Sequence, residues 1–238
     1  MADIQLQYCV VGFFDILGFS SMVEADSKSA EPKYLPIFLD VLEALTGEPK
    51  ASGPDVRIFS DSIIVSATLS PLSVLDVIET AAQLQRLFLQ RGILLRGGIA
   101  FGKHYATANV MFSQALVTAY RIESKFARFP RIVIEGNTIN FAWHHESANY
   151  ELHSRIRNSV LVDRDGALFV NYLTAETLNS LTPHIRACIE ANTQPDETVL
   201  EKMRWLLDYQ NYSSGMHGLE RLDLQHFANG FSRIDAIP

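Results

Sequence analysis

The feature that most constrains the fold is a single carboxylate inside an apolar run near the start of the chain. Residues 8–19 contain only apolar residues, aromatic residues and glycine, except for Asp15. A continuous run of this kind, rich in β-branched and aromatic residues, predicts a strand that is buried on both faces. An unpaired charge in such a strand is costly to remove from water, so Asp15 requires a compensating partner.

Two kinds of partner fit Asp15 at this stage. In the first, Asp15 ends the strand and caps a helix that begins near Leu17, where its carboxylate accepts hydrogen bonds from free backbone N–H groups. In the second, Asp15 shares a divalent cation with another carboxylate elsewhere in the chain. The second hypothesis requires another acid in a comparable position.

Such an acid occurs in residues 56–67, which form a second largely apolar segment around Asp61. If this segment is one continuous strand, alternation places Arg57, Phe59 and Asp61 on the same face. The alternative is a tight hairpin at Asp61, because Ser60 and Ser62 on either side of it are also typical of turns. The apolar residues on both sides of Asp61 favour the continuous strand.

Composition limits the class of protein. The chain has 238 residues, of which 47% are hydrophobic, and this predicts one large domain, or one domain with an extension. Its net charge of −7 argues against a polynucleotide partner, since nucleic-acid-binding surfaces are basic. No apolar run approaches the roughly 18 residues needed to cross a bilayer, and the first residues lack the basic segment of a signal peptide. Cys9 and Cys188 show no metal-binding or disulfide spacing, so we expect a cytoplasmic protein without membrane insertion.

The middle of the chain predicts alternating helices and strands. A helix begins after Ser70, with Pro71 in its first turn and Gly92 past its end, which are typical end signals. It leads into an apolar strand over residues 93–102 that contains Arg96 and three glycines, and glycines inside a strand often mark a close approach by another group.

Residues 113–135 continue this pattern. Ser113 is predicted to cap a helix over residues 114–125, on which Arg121 follows Val117 at a spacing of four. A further strand is predicted over residues 131–135. We therefore predict an α/β (α+β) fold with a central, mostly antiparallel sheet flanked by helices.

The last third of the chain is predicted as a hairpin and helical extension. Asp165 and Gly166 form a turn signal between two apolar runs, which indicates a hairpin. Helices are predicted over residues 175–181, 197–209 and 218–228. The histidines of this region show no ligand spacing. We predict a domain over residues 1–145 and a C-terminal extension over residues 146–238 packed on it.

Four segments together resemble the class III nucleotidyl cyclases, and within that class the pyrimidine (uridylate or cytidylate) cyclases of Pycsar anti-phage defence. The resemblance covers roughly residues 8–143. Residues 14–20 resemble the first metal motif of the family and residues 59–62 the second. Residues 95–102 resemble its Arg-x-Gly-Ile strand, and residues 119–123 resemble the segment that contains its transition-state arginine.

The resemblance implies a two-metal active site. Asp15, Asp61 and the backbone of Ile16 would bind two Mn²⁺ or Mg²⁺ ions, and Arg121 would stabilise the transition state across the interface of a homodimer. Backbone amides after Asp15 would hold the phosphates of a nucleoside triphosphate. The substrate-binding residues predicted in this way and from strand alternation are Phe14, Ile16, Leu17, Gly18, Phe19, Arg57, Phe59 and Arg96.

Two departures from the family pattern bear on which nucleobase the substrate carries. Purine cyclases of this class have a lysine and an aspartate where this chain has Arg57 and Val110, so the adenine-reading pair is absent. Arginine beside an aromatic ring offers fixed donors to pyrimidine carbonyl oxygens and a surface for stacking. Arg57 and Phe59 are therefore the predicted base contacts, with Arg96 as a third candidate.

Three functions remain open. The first is a cyclase that converts UTP into cyclic UMP and diphosphate, with a product that signals to a separate effector. The second is a cytidylate cyclase that makes cyclic CMP. The third is a cyclase-like module that binds a nucleotide without turnover, because the family's transition-state asparagine is replaced by Val117.

Overall fold

The computed structural model describes residues 5–46, 53–145, 149–193 and 196–224. The chain divides into two compact units, Met1–Tyr172 and Leu173–Pro238. The strands are β1 (Gln7–Ile16), β2 (Asp55–Phe59), β3 (Ser62–Thr68), β4 (Leu95–Ala106), β5 (Met111–Ser113), β6 (Ile132–Ile134), β7 (Val160–Val162) and β8 (Leu168–Val170). The helices are α1 (Phe19–Lys28), α2 (Tyr34–Thr46), α3 (Pro71–Leu89), α4 (Gln114–Phe126), α5 (Gly136–His145), α6 (Tyr150–Ser159), α7 (Ala175–Ala191) and α8 (Glu197–Met216).

The first unit is built around a mixed sheet in the order β2-β3-β1-β4-β6-β8-β7, with β5 paired to β4. Every strand pair is antiparallel except β4 with β6. Helices pack on this sheet. The predicted α/β class with a central, mostly antiparallel sheet flanked by helices is confirmed.

Strand β1 is central and is covered on both faces. On one face Val11 and Phe13 pack in clusters with residues of α4. On the other face Val10 and Phe14 are fully buried. Phe101 is the register partner of Val10, and its ring contacts an α5 ring, so α5 and its neighbour α3 cover this second face. The predicted double burial of this strand is confirmed.

Helix α4 lies close to β4 because of Gly98. A Cβ atom at this position would lie 2.8 Å from Cβ of Ile122 and closer still to the carbonyl oxygen of Ala119. Since real side chains almost never come that close, only glycine allows this separation of helix and strand.

Several predicted elements match the structure closely. Helix α3 has the expected Ser70 cap and Pro71 in its first turn, and Gly92 beyond its end has a positive φ of 73°. The Oγ atom of Ser113 accepts a hydrogen bond from the Leu116 amide at the start of α4. The hairpin around Gly166 is formed by β7 and β8.

Other predictions are corrected. Residues 56–67 are not one strand, because β2 ends at Phe59 and β3 begins at Ser62. Asp61 therefore lies in a hairpin turn, so strand alternation does not determine which face of the sheet its side chain is on. The β7–β8 hairpin pairs with β6, so its strands belong to the sheet of the first unit. The domain boundary at residue 145 stays a prediction.

The second unit contains α7 and α8, which pack on each other. Both helices extend well past their predicted ends. Gln210 of α8 is fully buried and donates a hydrogen bond to the hydroxyl oxygen of Thr182 in α7, which ties the two helices together. It also donates to the hydroxyl oxygen of Ser214 in its own helix. Residues 219–224 are not helical, and the rest of the helix predicted over 218–228 lies outside the described residues. No helix within the described ranges is long and apolar enough to cross a membrane.

Replacing Gly98 with alanine is expected to lower the free energy of unfolding by about 1–3 kcal/mol, because the new methyl group forces α4 away from β4. Gly136→Ala is the matched control, since nothing lies within 4 Å of an added Cβ there and the stability should stay level or rise slightly. Urea unfolding followed by circular dichroism measures both. Equal stability of the two variants would contradict the close packing of α4.

Candidate active site

The two predicted acids lie side by side at one end of the sheet. Asp15 is near the end of β1, where Ser62 and Arg96 are its register partners on the two neighbouring strands. The amide of Ile16 donates a 3.1 Å hydrogen bond to the backbone oxygen of Asp61. This bond places the β2–β3 turn directly beside the end of β1.

The turn itself has an unusual backbone. Ser60 has a φ of 56°, and it is the one non-glycine residue with positive φ in the described part of the chain. Such conformations are uncommon for residues other than glycine and are concentrated at functional sites, where the surrounding structure holds them in place. The turn brings Asp61 next to the end of β1, and its charge acts on Glu123 together with that of Asp15.

Arg96 is the partner of Asp15. Its Nε donates a 2.8 Å hydrogen bond to Oδ2 of Asp15, and the two side chains are 30% and 20% exposed. The first hypothesis for Asp15, a helix cap, does not hold, because Gly18 occupies the N-cap position of α1 and no side chain caps that helix. The charge of this partly buried carboxylate is compensated by an arginine of the adjacent strand.

A third acid, Glu123 of α4, joins this pair. It is buried, and its Oε1 lies 2.8 Å from Nη2 of Arg96 in an ionic contact. Burial raises the pKa of Glu123, Arg96 opposes that rise, and the negative charges of Asp15 and Asp61 add to it. The four side chains therefore form one electrostatic cluster.

Glu123 is not among the site residues predicted from the sequence. A local signal was present, because Ala115, Ala119 and Glu123 recur at intervals of four along one face of α4. The two alanines are fully buried, so the carboxylate lies on the apolar face of the helix. A carboxylate on such a face needs a partner, as Asp15 does.

The donor set suits a hard divalent cation. Asp15 and Asp61 supply carboxylate oxygens, and Mg²⁺ in nucleotide enzymes is commonly held by one or two carboxylates together with substrate phosphates. No group of three or more acidic, histidine or cysteine side chains is arranged to hold a metal within the described ranges. The remaining ligands of a cation here would therefore come from backbone oxygens, water or a bound nucleotide.

The predicted phosphate cradle is only partly available. The amide of Ile16 is bonded to Asp61, and the amide of Leu17 donates a 2.9 Å bond to the backbone oxygen of Leu94. Binding of phosphate by these two amides stays a prediction, and it requires that both backbone bonds break. Gly18, with a φ of 80°, and Phe19 begin α1, which has no acidic residue in its first turn. The start of this helix remains suitable for an anion.

Arg57 and Phe59 lie on the face of the sheet that holds Asp15, although Asp61 lies in the turn. The strand registers align Phe59 of the edge strand with Ser62, Asp15 and, further on, Arg96. Phe59 is 81% exposed, so its ring is free to stack on a ligand.

Arg57 has other partners. Its Nε donates to Oδ2 of Asp55 at 2.7 Å, and its Nη1 donates to the backbone oxygen of Thr107 at 2.5 Å. These bonds link the edge strand to the loop between β4 and β5. The predicted role of Arg57 in base recognition therefore requires that it release at least one of these partners.

The two remaining predicted residues point away from the acids. Phe14 is fully buried on the opposite face of the sheet from Asp15, so its side chain is a core residue, and its contact with a substrate stays a prediction. Arg121 is exposed on α4, whereas its neighbours Ile122 and Glu123 are buried against the sheet. Arg121 is thus on the outer side of the helix.

Comparisons with known proteins give structural likenesses only. No family model matches the chain, and no curated protein matches it. The adenylyl cyclase CyaB from P. aeruginosa is similar at 16% identity and a TM-score of 0.45, over 70% of this chain and 94% of that one. The monomeric guanylyl cyclase domain of the RhoGC fusion protein from the aquatic fungus Blastocladiella emersonii is similar at 14% identity and a TM-score of 0.49, over 69% and 95%. The adenylate/guanylate cyclase/hydrolase from Silicibacter pomeroyi is similar at 15% identity and a TM-score of 0.46, over 70% and 96%. With TM-scores below 0.5, these likenesses support no conclusion about activity.

The raised pKa of Glu123 makes a prediction about stability and pH. Because this pKa is higher in the folded protein than the usual 4.5, the folded state binds more protons, and stability falls as pH rises through the folded pKa. The unfolding free energy of the wild type, minus that of Glu123→Gln, should therefore decrease between about pH 4 and about pH 7. Urea unfolding at several pH values measures this difference.

Glu79→Gln is the control for that experiment. Glu79 is an exposed carboxylate of α3 that pairs with Arg155. No comparable decrease is expected for it. A wild-type advantage over Glu123→Gln that grows with pH would contradict the environment described for Glu123.

Proposed function

We propose that this chain is a nucleotide cyclase that converts UTP into 3′,5′-cyclic UMP and diphosphate. The observation that supports this most directly is the meeting of Asp15, Asp61 and Arg96 beside the uncapped start of α1. Two acids that suit divalent cations thus lie next to an arginine and a helix N-terminus that suit phosphate. This is the combination that phosphoryl transfer requires.

The reaction sets clear demands. The ribose 3′-hydroxyl must lose its proton and attack the α-phosphorus, while diphosphate leaves. Asp15 and Asp61 would hold two Mn²⁺ or Mg²⁺ ions, which supply a lowered pKa for the attacking hydroxyl and charge neutralisation for the leaving group. The N-terminus of α1 would orient the triphosphate. An arginine near the α-phosphate would stabilise the charge that develops there.

The choice of a pyrimidine rests on the edge strand. Phe59 offers an exposed ring in the same row as Ser62 and Asp15, which suits stacking of a base near the reacting phosphate. Arg57 lies one row further along the same face. The resemblance adds that the adenine-reading lysine and aspartate are replaced by Arg57 and Val110. CTP remains the alternative substrate, because uracil and cytosine differ only at one edge.

Arg121 would act in a second chain. It lies on the outer side of α4, away from its own acids. Exposed apolar side chains surround that side of the helix and the adjoining β5, as an interface between two chains requires: Val110, Phe112, Val117 and Tyr120. We propose a homodimer in which Arg121 of each chain serves the acids of the other, and a product that signals to a separate effector, as in anti-phage defence.

The test is a product assay with all four nucleoside triphosphates and Mn²⁺, analysed by mass spectrometry. We expect cyclic UMP from the wild type. Asp15→Asn and Asp61→Asn should each reduce turnover by a factor of at least about 10², because each removes a charged ligand of the cations. Circular dichroism should show that both variants fold. Near-normal turnover in either would contradict the two-metal site.

The same assay separates the alternatives. Cyclic CMP as the main product would indicate a cytidylate cyclase. Binding of a nucleotide without any cyclic product would favour the sensing module, for which the valine at position 117 is the motivating residue.

Complementation tests the shared active site. An Asp15→Ala chain and an Arg121→Ala chain, each inactive alone, are coexpressed. About half of randomly paired dimers are mixed, and one of the two sites in each mixed dimer has intact acids facing an intact arginine. The mixture should therefore show roughly one quarter of wild-type activity.

The control for complementation is the state of assembly. Differently tagged chains must co-purify, which shows that mixed dimers form. If they form and the mixture is as inactive as its components, Arg121 does not serve the partner's acids.

A further inference from the structure

We propose that Arg96 is the resident counter-ion of Asp15 in the ligand-free site, that a divalent cation must displace it, and that Glu123 is the positioning residue that keeps Arg96 in place. This inference rests on the proposed function, because it concerns the same two acids. It assigns roles to Arg96 and Glu123 that differ from direct contact with a base.

The geometry of Arg96 is the first step. Its guanidinium joins two carboxylates on different elements, with Nε 2.8 Å from Oδ2 of Asp15 and Nη2 2.8 Å from Oε1 of Glu123. A guanidinium has several donors in a rigid plane, so the two contacts hold it in one orientation. Its position against Asp15 is therefore fixed from the far side by α4.

The second step is competition for one carboxylate. Oδ2 of Asp15 accepts a charged hydrogen bond from Arg96 in this state. A cation bound by that oxygen would meet the positive guanidinium at close range, and like charges repel strongly where both are shielded from water. Asp15 therefore cannot bind the cation through this oxygen while Arg96 keeps its present hydrogen bond to it.

The third step is the role of Glu123. Its carboxylate is the second partner of Arg96, so its negative charge neutralises part of the positive field that the guanidinium produces near the acids. Without that charge, Arg96 would bind Asp15 alone and oppose a cation more strongly. Arg96 and Glu123 should therefore change the affinity for cations in opposite directions when each is neutralised.

A purely structural role makes a different prediction. If Arg96 only braces β4 against β1 and α4, its removal loosens the acids, and cation binding stays the same or becomes weaker. If Arg96 is a resident counter-ion, its removal should instead strengthen cation binding, since it leaves the acids uncompensated and more attractive to a cation.

The experiment is titration of the full chain with Mn²⁺ alone, without nucleotide, at about pH 7.5, with the free ion followed by electron paramagnetic resonance. Arg96→Met is expected to lower the Kd roughly tenfold, and Glu123→Gln to raise it severalfold, by the change of one nearby charge. Asp15→Asn identifies the site, because it should abolish the binding. Arg96→Gln is the second variant, in case the methionine variant does not fold by circular dichroism.

Matched controls come from an exposed ion pair of the same unit. Arg155 of α6 contacts Glu79 of α3 at 2.8 Å, away from the acids on β1 and in the β2–β3 turn. Arg155→Met and Glu79→Gln make the same charge changes and should leave the Mn²⁺ affinity unchanged. Any shift in them would measure the general effect of net charge.

The outcomes are separable from those of the proposed function. Tighter binding in Arg96→Met supports the inference even if the wild type makes no cyclic product, in which case the proposed function fails alone. Wild-type binding that depends on Asp15, but is unchanged or weaker in Arg96→Met, overturns the inference alone. Absence of Mn²⁺ binding in every variant overturns the two-metal site, and the inference with it.

Discussion

The rest of the site depends on the cost of placing a carboxylate near the end of a strand that is covered on both faces. Asp15 follows the fully buried Phe14 on a central strand of the sheet and is itself largely buried, so its charge needs a partner in the protein. Arg96 provides that compensation because the antiparallel register of β1 and β4 places the two residues opposite each other. A shift of one residue in this register would turn Arg96 to the other face and leave the acid unpaired.

Packing determines this electrostatic arrangement as much as charge does. Gly98 lies two residues beyond Arg96, on the same face of β4, and its lack of a side chain lets α4 approach the strand. That approach buries Glu123 beside Arg96 and raises its pKa. The cluster therefore needs both a small residue on the strand and an acid on the helix.

Much of the architecture could be predicted because its signals are local. The ends of α3 and the start of α4 follow from a capping serine and, for α3, a proline and a glycine within a few residues. The β2–β3 turn is the less favoured of two alternatives in the sequence, because apolar residues continue on both sides of Asp61 and outweigh the turn preference of its serine neighbours.

The partners within the site could not be predicted by any local rule. Arg96 is 81 residues from Asp15 in the chain, and the bond between them exists only because β1 and β4 are paired in this register. The amides of Ile16 and Leu17 are likewise bonded to residues that are distant in sequence, which no local rule predicts. The partner of Glu123 on α4 is equally beyond any local rule, but helix geometry does relate the direction of Glu123 to that of Arg121. Arg121 and Glu123 are two positions apart, which corresponds to roughly 200° around a helix, so they face opposite directions. With Glu123 buried against Arg96 of its own chain, Arg121 faces outward, so the catalytic role proposed for it would be toward a second chain.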